Sequence, residues 1–288
     1  MTTVAFVVHP ERPDAGTVAA AAVAWLESVG ERGVLLPDEV VIPGGGQRAV
    51  PVDGFDDRIA DADLAVSLGG DGTMLRTVAV ASRAGIPVLG VNMGRLGYLT
   101  EIEPAELHDA LERFLAGEYE IEERMTLQVR VETQRGSAAA SYLALNEAAV
   151  EKTDPGHTVR LAASIAGRPF VTYAADGVVV ATPTGSTAYN LSARGPILSP
   201  RLRAVVVTPV SPHMLFDRPL VLEPDEGVRL EVAGPRSAAL TVDGLSAGTL
   251  EPGDAVDCAA SPVCARLVSF GGRQFHAVLK ARFHLADR

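Results

Sequence analysis

Cysteine is scarce in this 288-residue sequence, and lysine equally so: Cys258, Cys264, Lys152 and Lys280 are all there are. Neither cysteine has a neighbouring histidine or a second Cys-x-x-Cys pair, so a zinc site is disfavoured, and two thiols are no disulfide framework. Both are expected as small buried hydrophobes. Long apolar runs are missing too. No stretch reaches the roughly 18 residues that span a bilayer, and the start MTTVAFVVHPERP has neither a basic leader nor a small-residue cleavage site. A cytoplasmic chain away from membranes is expected. Blocks of Lys or Arg are absent and the formal net charge is −11, which argues against the basic footprint that nucleic acid or an anionic membrane surface requires. An acidic chain that handles a phosphorylated ligand must use main-chain amides, a few arginines and divalent cations.

What is present begins with 47% hydrophobic residues, ample core for two ordinary domains. The first third alternates strand and helix. VAFVV, GVLL, LAVSL and IPVLGVN read as buried strands, separated by the helical stretches GTVAAAAVAWLESVG and MLRTVAVASRAG, and PAELHDALERFLAG supplies a third helix. Such alternation predicts a parallel sheet. Residues 37–57, with three consecutive glycines and no sustained period, read as one long loop. From about Met125 the texture changes to β segments divided by Gly, Pro and Asp turns: LQVRVET, SYLALNEAAVE, VRLAASIAG, FVTYAADGVVVATP, AVVVTPV, RPLVL, VRLEVAG, AALTVDG, DAVDCAAS and ARLVSFG. The expected architecture is an α/β domain over 1–122, an all-β, sandwich-like domain over 123–270, and a helical tail, 271–288, packing back on the first domain. Trp25 is expected in the core.

Four stretches carry polar groups in patterns that suit chemistry. GGDGT (69–73) sits between a strand and a helix, where bare glycine amides approach phosphate closely and a carboxylate orients a hydroxyl or a metal ion. NMGRLGYLTE starts at Asn92, and Asn146 and Glu147 follow later. ADGVVVATPTGSTAYNLSARGP spans 175–196 and holds six hydroxyl residues between 182 and 192. The GGDGT turn is not a Walker A loop, because Thr73 and Met74 stand where Lys-Ser/Thr would be, and no G-x-G-x-x-G occurs anywhere, which disfavours a dehydrogenase fold. Adjacent strand residues point to opposite faces, so Asn146 and Glu147 reach one ligand only at a strand end or bulge. His213 lies near Asp217 and Arg218 without a nucleophile at recognisable spacing, so no hydrolase triad is supported.

Taken together and in this order, GGDGTMLR, NMGRLGYLTE, NE, ADGVVVATPTGSTAYNLSA, the later TVDG and the tail FHAVLKARFHL resemble the NAD kinase family. The resemblance implies an NAD kinase/diacylglycerol kinase-like fold and transfer of a phosphoryl group from ATP or inorganic polyphosphate to the adenosine-ribose 2′-hydroxyl of NAD, with a divalent cation, Mg²⁺ by expectation. It implies Asp71 as the catalytic carboxylate, orienting the hydroxyl or binding Mg²⁺, with Gly72 beside it. Gly69, Gly70 and Thr73 would bind the phosphate donor. Asn146 and Glu147 would hold ribose hydroxyls and Asp176 the nicotinamide end. Thr184, Thr187, Ala188, Tyr189, Asn190, Leu191 and Ser192 would line the substrate pocket, and Arg76 and His157 match weaker positions. Relatives are dimers and tetramers, so a homodimer or homotetramer is expected.

The chain departs from the family pattern at Arg194 and Gly195, where a glycine pair is usual, and at Leu245, where a polar residue is usual. Ala174 is small where some relatives carry a basic side chain, which in the family goes with tolerance of NADH. Two other readings stay open at this level: a lipid kinase of the same superfamily, and an NAD(P)-binding sensor without turnover.

Overall fold

The computed structural model describes residues 1–36, 48, 49, 51, 59–94, 97–134, 140–271 and 274–285. Most of the expected 37–57 loop, and Arg95 and Leu96 of NMGRLGYLTE, lie outside them. Two compact units emerge: Met1–Pro43 with Asp56–Glu123 and Cys264–Arg288, and Gly44–Phe55 with Arg124–Val263.

The first unit begins β1 (Thr3–Val8), α1 (Pro13–Ser28), β2 (Arg32–Leu35), β3 (Leu64–Gly69), α2 (Asp71–Ala81), β4 (Val88–Asn92), α3 (Leu107–Leu115) and β5 (Glu120–Arg124). β1 pairs in parallel with β2 and β3, and β3 with β4. All residues of β3 and β4 are buried, as expected of parallel strands covered on both faces, and this is why LAVSLG and VLGVN read as unbroken apolar runs. Pro13 opens α1 where its missing N–H is no loss, and Ala15, Ala19, Ala22 and Leu26 put one small-residue stripe on the sheet. Trp25 is only half-buried: it packs at the edge of this core and its ring meets His108.

The second unit contains β6 (Leu127–Glu132), β7 (Ser141–Ala144), β8 (Glu147–Lys152), β9 (Val159–Ile165), β10 (Arg168–Ala175), β11 (Gly177–Ala181), α4 (Tyr189–Ser192), β12 (Val205–Val210), β13 (Leu220–Leu222), β14 (Val228–Val232), β15 (Ala238–Val242), β16 (Leu245–Leu250) and β17 (Ala255–Ala260). They form two sheets, ordered β10-β9-β14-β17-β6-β7 and β13-β12-β11-β8-β15-β16. Leu127, Val129, Leu161, Leu230 and Val256 from one sheet share a core with Val150, Val178, Val180, Val207 and Leu240 from the other. That shared core is a β-sandwich. The outer face of β8, β11 and β12 is also covered, by Tyr189 and Leu198, so β11 is buried throughout and reads VVV rather than alternating.

Two stretches that read as single strands are each two. SYLALNEAAVE breaks into β7 and β8, and FVTYAADGVVVATP into β10 and β11, and at each break the chain leaves one sheet for the other. The breaks fall at Leu145 and Asn146 and at Asp176.

The chain then returns to the first unit. β18 (Ala265–Ser269) pairs in parallel with β4 at Leu267 and Val88, completing the order β2-β1-β3-β4-β18-β5, and α5 (Phe275–Arg282) follows. ARLVSFG therefore belongs to the first sheet rather than to the β domain, whose compact unit ends at Val263. Among the described residues no helix is long and apolar enough to cross a membrane.

Candidate functional site

The GGDGT turn belongs to the first unit. β3 ends at Gly69, Gly70 adopts an extended conformation as the cap, and Asp71 is the first residue of α2. Gly69 is a steric requirement: a Cβ there would stand 2.1 Å from Thr73 Oγ1. Thr73 itself is 1% exposed and its main-chain oxygen accepts from the Thr77 hydroxyl at 2.9 Å. This packing makes Thr73 a post under the turn. The Arg76 guanidinium comes within 3.4 Å of its hydroxyl. Gly72 is exposed and its Cβ position is open.

Asp71 is half-buried and both its oxygens are held. Oδ2 accepts the main-chain N–H of Tyr98 and Oδ1 that of Leu99, each at 3.1 Å. Gly97 lies so close that a Cβ there would be 2.1 Å from Oδ1. GGDGT and GYLT are thus one local structure, although 27 residues separate Asp71 from Tyr98. Arg282 of α5 stacks over the Tyr98 ring at 5.1 Å. Burial raises the Tyr98 phenol, Arg282 opposes that shift, and Asp71 adds to it.

The remaining candidate residues belong to the second unit, and most gather around the two sheet crossings. Asn146 is buried between β7 and β8, and Glu147 is the first residue of β8, so the pair occupies a strand end. What fixes this crossing is Asp243, in the turn between β15 and β16. Its carboxylate accepts the N–H groups of Leu145 at 2.8 Å, Asn146 at 2.7 Å and Glu147 at 3.1 Å. Burial pushes Asp243 up to about 6 against the lowering pull of those three amides. Glu147 rises further, to about 8, through burial first and the Asp243 charge second, with the Tyr189 main-chain N–H pulling the other way. Glu147 Oε2 is buried and has no hydrogen-bond partner among the described residues.

The TPTGSTAY segment folds against the same crossing. The Thr182 hydroxyl donates to Leu145 O at 2.5 Å and accepts from Gly185 N at 3.1 Å. A Cβ on Gly185 would fall 2.1 Å from Asn146 O, so only glycine fits. Thr184 is buried, and its hydroxyl accepts from Arg124 at 3.5 Å. Thr187 bonds back to Thr184 O at 3.3 Å. Thr187, Ala188, Tyr189 and Leu191 are half-buried and Ser192 is exposed. The Tyr189 hydroxyl donates to Glu151, and Asp176, at the second crossing, is paired with Lys152 Nζ at 2.6 Å. His157 is exposed in the turn between β8 and β9 and lines a shallow recess with Lys152, Arg236 and Ser237.

Asn190 is placed differently from the expectation of a ligand contact. It is 0% exposed. Its amide donates to Ser186 O and Pro196 O, both at 3.0 Å, and accepts from the Thr208 hydroxyl at 2.6 Å. A Cβ on Gly195 would stand 1.9 Å from Asn190 Oδ1. Asn190 therefore locks the loop, and Gly195 makes room for it. Asp243 is the converse case, quoted within TVDG but given no part in the site. Its location in a VDG turn was the only signal, and turn chemistry alone accounts for that.

Among the described residues no group of three or more His, Cys, Asp or Glu side chains is placed to hold a metal ion. The chain therefore does not furnish a metal cage of its own there. A magnesium ion bound mainly by waters and ligand phosphates needs none.

Comparison with known proteins agrees along the length of the chain. The model of the ATP-NAD kinase N-terminal domain matches residues 50–119 and that of the ATP-NAD kinase C-terminal domain matches 145–270. An NAD kinase of Heliobacterium modesticaldum is 43% identical, over 98% of both chains. An NAD kinase of Geobacter sulfurreducens is 37% identical over the whole of both. Among solved structures, a yeast NADH kinase complexed with NADH matches with a TM-score of 0.85 at 25% identity, covering 100% of this chain and 89% of that one. An NAD kinase from Archaeoglobus fulgidus in complex with ATP, at 23% identity and 99% coverage of both chains, has a TM-score of 0.71 and shows likeness of fold.

Proposed function

The chain belongs to the NAD kinase family and is an NAD kinase by its relatives, and from that premise we propose how its residues divide the reaction. The observation that carries the proposal is Asp71, a half-buried carboxylate behind a glycine turn, oriented through both oxygens by main-chain donors. The relatives give no support to a lipid kinase or a silent sensor.

A bond forms between the ribose 2′-oxygen of NAD and the terminal phosphorus of the donor, while the bond from that phosphorus to its bridging oxygen breaks. The leaving group is ADP from ATP, or a shortened chain from polyphosphate. Such transfers ask for positioning and charge neutralisation more than covalent help. A ribose hydroxyl is a very weak acid, so Asp71 orients it first and takes its proton late, as bonding to phosphorus lowers its pKa. Gly70 and Gly72, which reach the surface at the start of α2 where Gly69 is buried in β3, offer main-chain amides suited to donor phosphates. A divalent cation bound to those phosphates would supply neutralisation of their charge, and Asp71 is the carboxylate at the turn that could help hold it.

The second unit holds NAD. Asn146 and Glu147 take ribose hydroxyls, a role supported by Glu147 Oε2 lacking a protein partner. With its pKa near 8, Glu147 carries a proton at neutral pH and offers a hydroxyl group both a donor and an acceptor. Asp176, tethered by Lys152, faces the nicotinamide end, and Thr184, Thr187, Ala188, Tyr189, Leu191 and Ser192 line the rest. Self-association as a homodimer or homotetramer is supported by edge strands β10 and β13, which expose Phe170 and Val221. Cytoplasmic location is the reading that suits a supplier of NADP.

The test is NADP formation by the purified chain with NAD, Mg²⁺ and either ATP or polyphosphate, read through an NADP-specific dehydrogenase. Asp71→Asn is expected to lower kcat by about 10³-fold while NAD binding persists. Absence of product with both donors, despite measurable NAD binding, would sink the reading.

A further inference from the structure

We propose that residues 97–99 are a main-chain clamp whose function is to position the Asp71 carboxylate for phosphoryl transfer, which gives the NMGRLGYLTE motif a role of its own. The inference rests on the reading of Asp71 above. Rotation of an aspartate carboxylate about its last torsion is broad and roughly two-fold. One N–H on each oxygen removes that freedom, because both donors lie on consecutive residues of one backbone segment. Each oxygen keeps a second lone pair, and that is where the acceptor hydroxyl is met.

The clamp is tied to the element that carries Asp71. Met93 N donates to Gly69 O at 2.9 Å, so the start of the segment is bonded to the residue that ends β3. Its far end returns to β4 through Glu101 N on Gly90 O at 2.8 Å and Asn92 N on Ile102 O at 2.8 Å. Asn92 also braces the bend, accepting from Gly94 N at 3.2 Å and donating to Glu103 at 3.0 Å. The returning chain adds a third tie, with Phe270 N on the Glu101 carboxylate at 2.8 Å. Carboxylate and clamp therefore move as one body. Side-chain donors in the same place would each add torsions to be frozen; main-chain donors add none, and they leave in the sequence only a glycine where the segment passes the carboxylate. Gly97 is that glycine, since a Cβ would press on Asp71 Oδ1 at 2.1 Å.

Two variants of the full chain test this in the NADP assay. Gly97→Ala drives the carboxylate out of register and is expected to lower kcat by about 10²-fold, the usual consequence of a displacement near 1 Å. Replacing Leu99 by its α-hydroxy acid turns one clamping amide into an ester. The side chain is kept and only the N–H is lost, so kcat should fall by about 10-fold. In both, KM for NAD and for ATP should stay within about twofold of native and the melting temperature should barely move. Should Gly97→Ala fail to fold, the ester decides. A native kcat in the ester variant overturns the clamp, as does a loss of rate matched by a rise in KM or a fall in melting temperature. Native protein in the same assay separates the premises: no NADP from it condemns the kinase reading, whereas NADP from it and from an unimpaired ester condemns only the clamp.

Discussion

Asp71 and Asp243 are both aspartates beside glycine, both accept main-chain N–H groups from a distant segment, and they serve opposite ends. Asp71 accepts two and stays half-exposed. Asp243 accepts three, and its carboxylate is enclosed although the turn that carries it reaches the surface. The difference teaches where a carboxylate acts outward and where it acts inward. One with an open side can meet a ligand; one saturated by amides shapes the chain around it.

Removing each carboxylate should break this comparison cleanly. Asp243→Ala strands three buried donors at the β7–β8 crossing, at an expected cost of about 3 kcal/mol. In a chain of this size that corresponds to roughly 6–12 °C in melting temperature. NAD affinity should fall with it, because Asn146 and Glu147 lose their mooring. Asp71→Ala leaves two amides that water can reach, and should cost about 1 kcal/mol while abolishing turnover. Thermal melts and NAD titration of the two variants decide the matter. Equal destabilisation, or loss of turnover in Asp71→Ala only in proportion to unfolding, would erase the distinction.

This contrast also marks how far the sequence could be read. Alternation of strand and helix was enough to predict the parallel sheet of the first unit, because β3 and β4 are buried on both faces and show it in composition. Periodicity was blind to partners. SYLALNEAAVE keeps its apolar texture across the change of sheet at Asn146, and ARLVSFG looks like any sandwich strand yet pairs with β4. GGDGT and TPTGSTAY stand out as candidate site segments since glycine and hydroxyl residues cluster there. Asp243 was not, because its three acceptor bonds reach residues 96 to 98 positions away. Asn190 erred in the other direction: a polar residue inside a hydroxyl-rich motif looks like a ligand contact until its partners Ser186, Pro196 and Thr208 are seen to use it up.

The pH dependence of stability sharpens the comparison further. Glu147 titrates near 8 and Asp243 near 6 in the folded chain, both above the ordinary carboxylate range. Between about pH 4 and pH 8 the folded state then binds more protons than the unfolded state, and stability declines as pH rises through that window. Their contribution is fully present at the acid end and lost above the folded values. Glu147→Gln, neutral at every pH, should flatten the decline between about pH 6 and pH 8, leaving the Asp243 part below it. Melting temperatures of both proteins across that range test the point. A native profile that rises from pH 6 to pH 8, with the variant parallel to it, would contradict the burial of Glu147.

The smallest expected effect concerns the loop that Asn190 locks. Helix α4 ends in a Schellman motif: Gly195 N donates to Asn190 O at 2.8 Å and Arg194 N to Leu191 O at 3.0 Å. The residue just past such an end takes the left-handed conformation that favours glycine, yet here it is Arg194, at φ 64°. Glycine would suit both positions for separate reasons, conformation at 194 and space beside Asn190 at 195, and this chain has it only at 195. Arg194→Gly should relieve the strained backbone and stabilise the protein by about 0.5–1 kcal/mol, a rise of roughly 2 °C. Arg194 is exposed, and whether its charge serves the donor is read in the same variant from KM for ATP. An unchanged KM with the higher melting temperature makes Arg194 a surface residue borne at a conformational cost. A KM raised several-fold would show instead that the strain is retained for the sake of a phosphate contact.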